Sequence, residues 1–112
     1  MDPARLRAIL STVIEQAPPF EGREELLLQV PTAVATGGPV TKLSVSVDRG
    51  LPPSPFPGQV VPGCSWAHDE EGSPLGVLTI WLDGGYLASL DYGWVTDDPP
   101  SALPHPSELT AG

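Results

Sequence analysis

Few side chains in this chain of 112 residues are spaced for chemistry, and Cys64, His68 and Asp69 are the first to weigh. A thiolate nucleophile with a histidine base needs the two groups within hydrogen-bond reach and a setting that lowers the thiol pKa. On one strand, positions 64 and 68 point to the same face but stand about 13 Å apart. The spacing predicts a half-buried cysteine and a surface histidine. Asp97, Asp98 and His105 could be drawn as metal ligands, but prolines separate them and their spacing matches no ligand pattern, so a solvated acidic tail is expected. Asp69-Glu70-Glu71-Gly72 lacks the alternating oxygen ligands of a calcium loop and reads as a turn. Gly37-Gly38 and Gly84-Gly85 neither precede a helix nor carry a lysine, so neither cradles phosphate. Asp91 is the one mid-strand carboxylate, and acid–base work would further require a raised pKa in an apolar pocket. The expectation is no enzyme, no catalytic residue, no metal and no cofactor.

What remains is aromatic and acidic. Trp66, Trp81 and Trp94 fall near Asp83, Asp91, Asp97 and Asp98. Tryptophans are favoured anchors at interfaces, and carboxylates around them steer cationic partners. The competing reading has the tail or a helix covering these tryptophans. Charge is unevenly placed: Arg5, Arg7, Arg23, Lys42 and Arg49 all precede residue 50, whereas Gly50 to Gly112 holds eight carboxylates and no Lys or Arg. The net charge of −9 repels nucleic acid and anionic membrane, aids solubility and favours a basic protein partner. Cys64 is the single cysteine, so no internal disulfide forms. Asp2, Arg5 and Arg7 lie on a periodic pattern unlike a signal peptide, and the apolar runs are shorter than the roughly 18 residues of a membrane span. A cytoplasmic protein is expected. Asn is absent and Lys42 is the only lysine, a bias of GC-rich bacterial genomes.

The elements that would position these residues follow from periodicity. Asp2 caps a helix, Pro3 takes its first position, and Pro18-Pro19 ends it. Leu6, Ile9, Leu10, Val13, Ile14 and Ala17 form one apolar stripe along it. "FEGREELLLQVP" predicts a short second helix with Leu26, Leu27 and Val30 inward, a strand being the competing reading. From Thr32 the period becomes two: a hairpin around Gly37-Gly38, whose second strand turns Leu43, Val45 and Val47 inward. A proline-laden loop leads to a third strand, about Val60 to His68, and residues 69–73 turn into a fourth. Then comes "LTIWLDGGYLASLDYGWVTDD", read as a hairpin closed by a three-residue loop, Asp83-Gly84-Gly85. That register pairs Leu82 with Tyr86, Ile80 with Ala88 and Leu78 with Leu90. It sets Tyr86, Ala88, Leu90, Tyr92 and Trp94 on the buried face, and Trp81, Leu87, Ser89 and Asp91 on the other.

The stretch "GGYLASLDYGWVTDDPPSALPHPSEL" resembles small proteins of high-GC Gram-positive bacteria in which a Trp-rich hairpin and a "TD-PP-LP-P" tail follow an amphipathic first helix. The resemblance covers the second half of the chain and, more loosely, the first helix. It implies an antiparallel α+β domain with no assigned reaction, so it carries over no catalytic residues. In size, charge and element order the chain is also loosely similar to immunity proteins that neutralise polymorphic toxins.

The reading is an α+β fold: one long and one short amino-terminal helix packed on a mainly antiparallel, meandering sheet of four or five strands. Residues 1–95 form the domain, and 96–112 an extended, Pro-rich acidic tail that docks along the sheet or stays mobile. The expected function is a cytoplasmic protein-binding module, most specifically an immunity-type inhibitor of a basic toxin domain. It would bind through Trp66, Trp81, Trp94, Asp91, Asp97 and Asp98, with no nucleic acid or membrane involved. The alternative is a structural protein or homodimer pairing through its exposed sheet face.

Overall fold

The computed structural model describes residues 2–112. Asp2 caps helix α1 (Pro3–Gln16): its Oδ1 accepts from the Ala4 N–H at 3.0 Å. Pro3 fits the first turn because that turn has no intrahelical use for its missing N–H. The stripe of Leu6, Ile9, Leu10, Val13 and Ile14 is buried along its whole length. Helix α2 (Arg23–Gln29) carries Glu24 and Glu25 in its first turn, where the helix dipole favours them. It is a helix as expected, with Leu26 buried and Leu27 half-buried.

Among the described residues, six strands form one antiparallel sheet: β1 (Val34–Gly37), β2 (Lys42–Ser46), β3 (Ser65–His68), β4 (Pro74–Asp83), β5 (Tyr86–Trp94) and β6 (Leu109–Ala111). Their spatial order is β1-β2-β5-β4-β3-β6, so the α+β class stands with more strands than expected and without a simple meander. The 50–60 loop carries the chain across the end of the β4–β5 hairpin to reach β3. Both helices pack on one face, here the inner face, burying Leu43, Val45, Leu78, Ile80 and Leu90 in a single core. Among the described residues, no helix is long and apolar enough to cross a membrane.

Two expectations need correction. The β4–β5 hairpin closes through two residues, Gly84-Gly85, rather than three. Asp83 pairs with Tyr86 and Leu82 with Leu87. Both glycines take positive φ, 57° and 88°, as a tight hairpin turn requires. A bulge then shifts the register, so that Trp81 faces Ser89 and Ile80 faces Leu90. This extra residue lets Leu87 and Leu90, three apart, both enter the core, whereas Ala88 and Tyr86 do not. The third strand is also shorter than expected: Val60 makes only an isolated bridge to Trp81, and the ladder resumes at Ser65.

Of the two courses open to the segment after Val95, it takes the docked one. It crosses the inner face beside α1, where the Leu103 carbonyl accepts from Arg5 Nη1 (3.3 Å) and the Leu109 carbonyl from Gln16 Nε2 (3.0 Å). Leu103 and Leu109 join the core, and β6 pairs with β3 as an edge strand. Gln16 also ties this seam to β3, accepting from the buried Ser65 hydroxyl at 2.7 Å.

Leu10 is fully buried and Glu15 exposed on the same helix. Leu10→Asp should lower stability by roughly 3–5 kcal/mol, through lost packing and a carboxylate placed in the core. Glu15→Ala should change it by less than about 0.5 kcal/mol. Urea unfolding of the two variants, followed by far-UV circular dichroism, checks the pair.

Candidate functional site

Strand alternation separates the three tryptophans. Trp66 faces Val77 across β3–β4, and Trp81 faces Ser89 across β4–β5, both on the outer face that no helix covers. They do not touch as one cluster: Val77 and Trp81 are four residues apart on β4, about 13 Å at strand rise. Trp94 has the parity of Leu90 and Tyr92, so it belongs to the inner side, but it projects past the end of the core and stays 43% exposed. The tail therefore leaves Trp81 uncovered, because it runs along the opposite face of the sheet.

Asp91 sits on the outer face in a row with Lys42 of β2 and Thr79 of β4. Its Oδ1 is buried and has no hydrogen-bond partner. Among the described residues the single ion pair lies elsewhere, Arg49 with Asp83 at 3.4 Å, with the Arg49 guanidinium stacked 4.5 Å from the Tyr86 ring centre.

Asp97 and Asp98 follow β5 and are exposed. The antiparallel register brings more carboxylates to the same end of the sheet. Val95 bonds back to Leu75 (3.0 Å), next to the turn that holds Asp69, Glu70 and Glu71. The returning tail adds Glu108, which with His68, Asp69, Glu70 and Ser107 lines an open hollow of about 500 Å³. Burial raises the Tyr92 pKa, and the Glu108 charge raises it further. Asp69, Glu70, Glu71, Asp97, Asp98 and Glu108 thus share one end of the sheet with the exposed Trp94 and Val95, the latter 56% exposed. Sequence reading missed Val95, Glu108 and the 69–71 turn as members of this surface. The turn was open to discovery, since in an antiparallel β3-β4-β5 run the β3–β4 turn and the end of β5 must coincide. The return of Glu108 left no such signal.

Of the side chains first weighed for catalysis, His68 and Asp69 hold the 69–73 turn in place. His68 uses both ring nitrogens, Nδ1 at 3.2 Å from the Gly72 carbonyl and Nε2 at 3.0 Å from the Thr110 hydroxyl, joining the 69–73 turn to β6. Asp69 Oδ1 accepts from the Glu71 and Ser73 N–H groups at 2.9 Å, shaping that turn. Cys64 is half-buried, and its carbonyl accepts from the Gly112 N–H. His105 lies 3.4 Å from Arg5, and its backbone N–H donates a capping bond to Glu108 Oε1 at 2.7 Å. Among the described residues, no three His, Cys, Asp or Glu side chains gather as metal ligands. The chain matches no protein-family model, no curated protein and no solved structure.

Proposed function

We propose that this protein is a cytoplasmic binding module for a basic protein surface, and that the acidic end of the sheet is its recognition site. The observation that carries the reading is the exposed Trp94–Val95 pair set among six carboxylates. An aromatic anchor supplies desolvated contact area, while the surrounding charge draws and orients a cationic partner. An immunity-type inhibitor that masks a basic toxin domain is the specific form that small size, acidity and an α+β fold favour. Such a protein needs no chemistry of its own, in keeping with the structural roles of His68 and Asp69.

Capture from the lysate of the source organism, followed by kinetics on the partner so identified, tests this. The partner should be basic, and its association rate should fall at least about tenfold between low and high salt. Asp97→Lys/Asp98→Lys should slow association, and Trp94→Ser/Val95→Ser should speed dissociation, while both variants keep the wild-type circular dichroism. A partner whose binding ignores salt and both variants would refute the reading.

A further inference from the structure

The acidic end of the sheet contains one side chain whose charge changes near neutral pH. Histidine titrates between about pH 5 and 8, whereas carboxyl groups ordinarily do so near pH 4 and ammonium groups above about pH 10. Of the chain's two histidines, His68 is the one that lines the hollow at this end. It stands half-buried there with Asp69 and Glu70 of the 69–73 turn and with Ser107, Glu108 and Thr110 of the returning tail. Glu71 is on the same turn. His105 is not part of the hollow, and its Nε2 lies 3.4 Å from Arg5 on α1. The hydrogen bonds of His68 fix its neutral form. A carbonyl oxygen only accepts, so the Gly72 carbonyl keeps the proton on Nδ1, and Nε2 accepts from the Thr110 hydroxyl. Protonation keeps both contacts, because the hydroxyl can turn and accept from Nε2–H instead. The proton therefore changes the charge of the hollow and leaves its shape.

We infer that seating a lysine or arginine side chain in this hollow expels the proton from His68, so that a basic partner binds near neutral pH and is released as the pH falls through the histidine range. The inference rests on the basic-partner reading and names the regulation of that site. Its basis is competition. The imidazolium and the incoming cation are like charges beside the same carboxylates, Asp69, Glu70 and Glu108. Each therefore lowers the affinity of the other by the same factor. The sign follows from the proton count. Within the histidine range the free protein holds more protons than the complex, so affinity is greatest above that range and declines towards acid. The carboxylates and the partner's own cations keep their charge throughout, which leaves the imidazole as the group that responds.

An oligolysine peptide of about eight residues, free of histidine, serves as the probe. Its affinity for the full chain is measured by isothermal titration calorimetry at fixed low ionic strength, from about pH 8 to about pH 5.5. Buffers of different ionisation enthalpy report the proton released. The wild type should bind about three- to tenfold more weakly at the acid end and release a fraction of a proton on binding. The His68 imidazole signals, followed by NMR, should titrate at lower pH with the peptide than without it. His68→Gln offers a donor for Gly72 and an acceptor for Thr110, so it should keep the wild-type circular dichroism and lose the pH dependence. His105→Gln should keep the wild-type pH profile. Equal wild-type affinity across the range overturns the inference and leaves the basic-partner reading standing, and so does a pH dependence that survives His68→Gln. A peptide that binds at neither end of the range overturns the basic-partner reading, and the inference with it.

Discussion

A chain ending at Val95 is expected to lose the native fold, although its sequence still holds both helices and five of the six strands. Leu103 and Leu109 are each only 5% exposed, and burying a leucine contributes roughly 1.5–3 kcal/mol. Truncation also removes the acceptors of Arg5 and Gln16 and strips β6 from β3, leaving Ser65–His68 as a bare edge over an opened core. Together these losses come to about 5 kcal/mol or more, comparable with the whole stability of a typical domain at roughly 5–15 kcal/mol. Near-UV circular dichroism and urea unfolding of residues 2–95 provide the check. A cooperative transition with the full-length midpoint would show that the core does not need the tail. Leu109→Ala in the full chain gives the graded version, an expected loss of about 2–4 kcal/mol.

Gln29→Met should be nearly as damaging, although it substitutes one flexible side chain for another of similar size. Gln29 is fully buried at the end of α2 and satisfies three backbone groups. Its Nε2 donates to the Pro52 (3.2 Å) and Gly85 (3.0 Å) carbonyls, and its Oε1 accepts from the Leu87 N–H (3.0 Å). The Gly85 carbonyl keeps a second donor, the Ser54 N–H at 2.8 Å. Leu87 has no equivalent substitute, because β2 pairs with β5 only from Ser89 to Asp91. The variant therefore orphans the buried Leu87 N–H at about 1–3 kcal/mol and loses the bond to the exposed Pro52 carbonyl at about 0.5–1.5 kcal/mol, an expected loss of roughly 2–4 kcal/mol. It should also free the 50–58 strip, which Gln29 and Ser54 pin over the Gly84-Gly85 turn. Gly85 is part of the same clasp, since a Cβ there would lie 2.5 Å from the Ser54 carbonyl oxygen. Urea unfolding reads the stability, and amide exchange of Leu87 reads the clasp. A shift below about 1 kcal/mol would mean that water replaces the glutamine without cost.

Where one element's own period decides which side is buried, the fold was legible from sequence. The α1 stripe and the alternation of Leu43, Val45 and Val47 each follow from a repeat that only one orientation can bury. The hairpin was legible as a hairpin but not in register. Its turn chemistry favoured two glycines, while face-matching favoured a three-residue loop. The bulge satisfies both by adding one residue to β5 after the turn. Gln29 was hidden because its burial rests on partners at Pro52, Gly85 and Leu87, all more than twenty residues away. The candidate site was legible only in part. Acidity, tryptophan content and the opposite parities of Trp81 and Trp94 were plain, but Glu108 arrived by a tail whose course no local pattern encodes.

The amino-acid sequence by itself determined the α+β class, the helices, the buried stripes and the strong negative charge of the second half. Those properties depend on composition and on periods within one segment. The tertiary structure alone decided the strand order, the docking of the tail into the core, and the bulge that brings both Leu87 and Leu90 inward. These depend on pairings between residues distant in the chain, and a one-residue bulge in such a pairing moves every following side chain to the other face.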